Sequence, residues 1–258
     1  IYSIIFIIIF VFLYIKFYLM IFEVCASSFE SAKNAQIAGA QRIELCSELG
    51  VGGITPSYGL ITKVMEELSI LNCVLIRPRS GDFTYSDEEF DIMLRDIKFC
   101  KELDCEGVVT GVLHKDGEID IERTKRLMEA AGSMDFIYHR AFDCTPNPEK
   151  AIEELKKLGV KRILSSGQKK TAIEGLPLLK KLNKIADGKI SIMAGGGISP
   201  ESIQEIKKAG FNEIHFSATV FQKTEGNMPF SMNTDKFLNE KVRPISDINL
   251  IKQLIESI

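Results

Sequence analysis

The sequence predicts a single-domain α/β protein, a (β/α)8 TIM barrel with an apolar N-terminal extension and an irregular βα loop near the C-terminus. Three observations carry this. Eight short apolar runs recur between residues 21 and 217, with amphipathic segments between most of them. Each run is five or six residues long and rich in Ile, Val and Leu, as strands buried on both faces are. One joint is also used repeatedly: "AGAQRIEL", "LGVKRILS" and "AGFNEIHF" each put Gly at a helix end and a charge at the opening of the next strand. The chain's 258 residues suit one barrel domain.

The predicted strands are IFEVC (21–25), RIELC (42–46), CVLIR (73–77), GVVTG (107–111), FIYHR (136–140), RILSS (162–166), ISIMAG (190–195) and EIHFS (213–217). Segments 88–103 and 147–159 carry apolar residues at helical spacing and charges elsewhere. The recurring Gly fits a left-handed helix cap. An open doubly wound sheet is the competing architecture, but no GxGxxG follows the first strand and the runs number eight. Residues 218–245 read as a long, polar, irregular loop, and a final helix opens at Ser246, whose side chain would cap it.

Residues 1–19 are set apart from 20–258. They are almost wholly apolar, with Lys16 as the one charge, and long enough to span a bilayer. No basic start or small-residue cleavage site marks a signal peptide. Two readings follow: a membrane anchor, or translation from upstream of a start at Met20. The opening Ile, the Ile/Phe/Tyr/Lys composition of AT-rich DNA and the position of Met20 before the first strand favour the second. Membrane contact is expected only if 1–19 are genuine.

Composition narrows function. A net charge of −3 gives no electrostatic basis for nucleic-acid binding. Six scattered cysteines with no C-x-x-C pair argue for free thiols and a reducing, cytoplasmic compartment. No Lys stands at the C-terminal end of a predicted strand, which argues against a Schiff-base aldolase. No His- or Asp-rich cluster suggests a binuclear hydrolase, and nothing indicates an organic cofactor. His114, in a polar loop, reads as a surface residue.

In a barrel of this type the functional face lies at the C-terminal ends of the strands. Side chains alternate along a strand, so Glu23 and Cys25 share one face, as do Glu44 and Cys46. If those faces point inward, two thiols and two carboxylates converge from strands about 5 Å apart. Such a thiol pair suits Cu(I), whereas Zn²⁺ would need help from His139 or His215. The same pattern also fits small buried cysteines that merely fill the mouth. The carboxylates need partners, for which Arg77, Arg79 and Arg140 are available. They read either as a buried ion network or as an acid/base site, with Glu23, Glu44, Arg77 and His139 as its catalytic candidates. Arg79 and Arg140 would then hold an anion. Gly195, Gly196 and Gly197 lead to a helix capped by Ser199 with Pro200 at its first position, and with Ser166 and Ser217 they could cradle phosphate.

The ordered motifs "FEVCASSFESAKNAQIAGAQRIELCSELGVGGITPSYG", "IRPRSGDFTYSDEEF", "FIYHRAFD", "RILSSG" and "IMAGGGI" resemble the CutC copper homeostasis protein family over Met20 to Ser217. The resemblance implies a cytoplasmic TIM barrel, a homodimer or larger homo-oligomer, that binds copper. The cysteines it would use match Cys25 and Cys46. It leaves open whether the protein is an enzyme. Two expectations follow: a Cu(I)-binding protein, or a barrel enzyme acting on a small phosphorylated metabolite.

Overall fold

The computed structural model describes residues 20–226, 230 and 241–258. Segment 1–19, and with it the choice between anchor and upstream translation, lies outside the described residues. Among the described residues no helix is long and apolar enough to cross a membrane.

Eight parallel strands close into a barrel in sequence order, β8 pairing back onto β1. They are β1 (Ile21–Ala26), β2 (Arg42–Leu45), β3 (Leu71–Leu75), β4 (Gly107–Thr110), β5 (Asp135–Tyr138), β6 (Arg162–Ser165), β7 (Ser191–Gly195) and β8 (Glu213–Phe216). The helices between them are α1 (Phe29–Ala38), α2 (Tyr58–Glu67), α3 (Asp87–Glu102), α4 (Ile121–Ala131), α5 (Pro148–Leu158), α6 (Leu176–Ala186) and α7 (Pro200–Lys208), with α8 (Ile248–Glu256) closing the ring. The recurrent joint has the expected physical cause. Gly39 and Gly159 end α1 and α5 with φ of 91° and 85°, which a residue with a Cβ adopts only under strain.

Alternation along the strands divides the core in two. Phe22, Val24, Ile43, Val74, Val108, Phe136, Ile163, Ile192 and Ile214 point outward and are covered by the helices. Cys25, Cys46, Cys73, Leu75, Val109, Ile137, Leu164 and Met193 fill the barrel interior. Each large apolar side chain so buried contributes about 1.5–3 kcal/mol, so the two layers together hold the barrel closed.

The segment after β8 departs from the expected irregular loop. Strands β9 (Thr219–Lys223) and β10 (Val242–Ser246) pair antiparallel, with Val220 opposite Ile245. The hairpin is fixed to α1, where Ser246 donates its N–H to Ser31 Oγ (3.0 Å) and accepts from Asn34 Nδ2 (2.9 Å). Ser246 therefore ends a strand, and the cap of α8 is the next residue: the Asp247 carboxylate accepts from Leu250 N–H. A buried strand register took Ser246, and Asp caps equally well.

Candidate metal centre at the barrel mouth

The neighbours β8, β1 and β2 carry inward side chains at one side of the mouth: His215, Cys25, and Glu44 with Cys46. Cys25 is in register with Glu44. Cys25 Sγ lies 3.6 Å from Cys46 Sγ and 3.6 Å from Glu44 Oε1. Ligand atoms of Cys25, Glu44 and His215 all fall within 4.8 Å of one another. Two glycines make room. A Cβ at Gly195 would stand 3.2 Å from His215 Cβ and 2.6 Å from Leu164 Cδ1, and one at Gly53 would stand 3.8 Å from Cys46 Sγ.

Burial governs the charge states. The bond from Cys46, burial and the nearby Glu44 all push the Cys25 thiol well above its ordinary value, so it is protonated at neutral pH. Burial raises Glu44, and its buried Oε2 has no hydrogen-bond partner among the described residues. For His215 burial works downward, but Glu44, Cys25 and Glu23 outweigh it and hold the imidazole up. The candidate metal group is thus Cys25, Glu44 and His215, with Cys46 Sγ beside Cys25, and its sulfur and imidazole donors are of the kind that soft ions such as Cu(I) select. Cys25, Glu44 and His215 supply three of the four ligands that Zn²⁺ takes, and Cys46 stands beside them through its contact with Cys25.

Glu23 serves a different part of the interior. It is fully buried, held by Arg42 below and by His215, whose Nδ1 is 2.8 Å from its Oε1. Burial alone would raise its pKa, but Arg42 and His215 bring it down to about 2. The network continues from Arg42 Nη2 to Glu213 (2.6 Å), from Glu213 to Arg162 Nε (2.9 Å), and from Arg162 to Asp135. Arg42, Arg162, Glu213 and Asp135 open their strands, so this network lines the N-terminal end of the barrel. Glu23 thus pairs with Arg42, and among the described residues neither Glu23 nor Glu44 pairs with Arg77, Arg79 or Arg140.

The remaining candidates separate into groups. Arg77 and His139 are buried at the ends of β3 and β5, both packed on Phe83. Arg79 lies in the loop after β3, paired with Glu89 (2.6 Å) and Asp82 (3.0 Å). Arg140 Nη2 donates to Ser166 Oγ (2.6 Å), and a Cβ at Gly196 would meet Ser166 Cβ at 3.3 Å and Arg140 Nη1 at 3.7 Å, so these three stand together. Asp143 orders that corner through Arg140, Ser165 and Ser166. Gly195 serves His215, Gly197 packs on Thr171, and Ser217 lies half-buried one residue past β8. His114 is exposed.

Sequence reasoning did not place Arg42, Arg162 and Glu213 in an ion network, and it offered His139 and His215 alike as helpers for Zn²⁺, of which only His215 stands in the metal group. The signal was present: the charge at each repeated joint is the first inward residue of its strand, and "EIHF" repeats the parity of "FEVC".

A barrel with a thiol, carboxylate and imidazole cluster at its mouth defines the class: a (β/α)8 protein with a candidate metal site. The sequence model of the CutC family matches residues 20–220, and the chain belongs to that family. It is 43% identical over 228 residues to a CutC family protein of Citrobacter koseri, covering 87% of this chain and 92% of the relative. It is 42% identical over 243 residues to one of Bacteroides fragilis, covering 92% and 97%. CutC from Streptococcus agalactiae superposes with a TM-score of 0.73 at 35% identity, over 77% of this chain and 99% of that one. Thiamine phosphate pyrophosphorylase from Pyrococcus furiosus shares the fold alone, with a TM-score of 0.55 at 15% identity.

Proposed function

We propose that this chain binds Cu(I) through Cys25 and Cys46 and serves copper homeostasis in the cytoplasm, as a homo-oligomer. The observation that carries the reading is the 3.6 Å separation of the two thiols inside a shell that also offers His215 and Glu44. Binding displaces the thiol protons, and the sulfur pair then selects a soft monovalent ion. The name of the Streptococcus agalactiae relative also ties that protein to copper homeostasis. Cu(I) is titrated into wild type and into the Cys25→Ser/Cys46→Ser variant in competition with a chromophoric chelator. The affinity is expected to collapse in the variant; undiminished affinity would sink the site.

A second reading is an enzyme acting by acid/base chemistry on a small phosphorylated metabolite. It is favoured by Glu44, whose raised carboxyl has an oxygen without a partner among the described residues and lies towards the C-terminal end of the barrel. Glu23 is committed to Arg42 and His215, which leaves Glu44 as the proton carrier in this reading. Glu44→Gln tests it: turnover of any stabilising phosphorylated metabolite must fall, while binding of that metabolite persists.

A further inference from the structure

Among the described residues, Arg77 is a buried cation without an anionic partner. It follows β3 with the inward parity of Leu75, and only 5% of its surface is exposed. Nη1 donates to the carbonyls of Val51 (3.0 Å) and Gly53 (2.7 Å), and Nη2 to that of Gly81 (2.7 Å). These bonds tie the loops after β2 and β3 together, but a carbonyl carries no net charge. Among the described residues no carboxylate pairs with Arg77, and its Nε has no hydrogen-bond partner. Buried charges are ordinarily compensated by an opposite charge.

Two more buried polar groups near Arg77 lack hydrogen-bond partners among the described residues. His139 Nδ1 accepts from Ala141 N–H (3.2 Å), which puts the ring proton on Nε2, and Nε2 bonds to nothing. The Tyr85 hydroxyl is also buried and unpartnered. Burial lifts Tyr85 to about 12 against the pull of the Arg77 charge, so it stays an O–H donor. Arg77 and His139 meet at Phe83, with Arg77 Cζ 5.1 Å and the His139 ring 4.8 Å from the centre of its ring, and Tyr85 joins them through the neighbouring Arg77 guanidinium. Between β3 and β5, the residue after β4 is Gly111, where a Cβ would strike His139 Nδ1 at 2.8 Å. The corner adjoins the thiol pair through Gly53, whose carbonyl takes Arg77 Nη1 and whose Cβ position lies 3.8 Å from Cys46 Sγ.

We propose that Arg77, His139 and Tyr85 form a receptor for a compact oxyanion, the carboxylate or phosphate of a small molecule entering the barrel mouth. The anion supplies the charge that Arg77 lacks and lone pairs for three unused donors. This deepens the second reading by assigning Arg77 and His139 to binding, and it requires neither copper nor turnover.

Isothermal titration of inorganic phosphate and of acetate into the full chain, at ionic strength fixed with chloride, tests it. One saturable site is expected for at least one anion, and the stronger arm distinguishes phosphate from carboxylate. Arg77→Gln should weaken it about tenfold or more, and His139→Gln, which keeps the guanidinium, by about two- to tenfold. Cys25→Ser/Cys46→Ser should leave it unchanged, which separates this site from copper binding. Lack of saturable binding by both anions overturns the proposal. So does binding that Arg77→Gln leaves intact, or, if that variant fails to fold, binding that His139→Gln leaves intact.

Discussion

His215 Nδ1 lies 2.8 Å from Glu23 Oε1, so a single carboxylate joins the ion network at the base of the barrel to the imidazole at its mouth. That bond commits Nδ1 to Glu23, and the ring also interacts with the Cys25 thiol. A carboxylate behind a histidine orients it as a ligand and raises its basicity.

Glu23→Gln is therefore expected to act in two places. Stability should fall by about 3 kcal/mol, because Arg42 loses a buried counter-charge. Urea unfolding followed by circular dichroism measures this. Copper affinity should also fall, by about 10- to 100-fold, if His215 takes part in the site. A variant with wild-type affinity would remove His215 from the ligand set.

Gly195 is expected to be intolerant of even one methyl group. The added carbon in Gly195→Ala meets Leu164 Cδ1 at 2.6 Å and the His215 backbone at 3.3 Å. A cost of about 1–3 kcal/mol follows from overpacking, together with weaker metal binding as His215 shifts. Gly159→Ala meets nothing within 4 Å and carries only the strain of φ 85°. It should cost about 1 kcal/mol and leave metal binding unchanged. Equal effects of the two substitutions in both assays would contradict this account.

Stability should fall on mild acidification because of His139. Burial and the Arg77 charge depress its pKa from 6.5 to about 3. The unfolded chain takes up a proton below pH 6.5 while the folded chain does not. The stabilisation is thus complete above 6.5 and is lost as pH falls towards 3, at up to about 1.4 kcal/mol per pH unit. Glu23 adds a loss in the same direction only between about 4.5 and 2. The informative quantity is the difference in unfolding free energy between wild type and His139→Gln from pH 7 to 5. A pH-independent difference would show that His139 is not held neutral.

Much of this architecture is legible in the chain. Eight apolar runs with Gly-capped joints specify the barrel, because strands covered on both faces need continuous apolar sequence and α1 and α5 each end in a left-handed turn. Period-two alternation puts Cys25 with Glu23 and Cys46 with Glu44 on inward faces. The hairpin β9–β10 was not legible, since its sequence is polar and its pairing depends on docking against α1.

What the sequence by itself determined is the fold and the inventory at each strand end, since both follow from local periodicity. Which residues meet was decided only by closure of the barrel. Pairing β8 with β1 brings His215, 192 residues away in the chain, onto Glu23, and the register of β1 on β2 sets Cys25 beside Glu44. Closure also sets the buried Arg42 and the half-buried Arg162 among Glu23, Glu213 and Asp135, while among the described residues Arg77 has no counter-charge. Partner choice among buried charges depends on three-dimensional distance, and distance across a barrel is fixed by strand order and register rather than by separation along the chain.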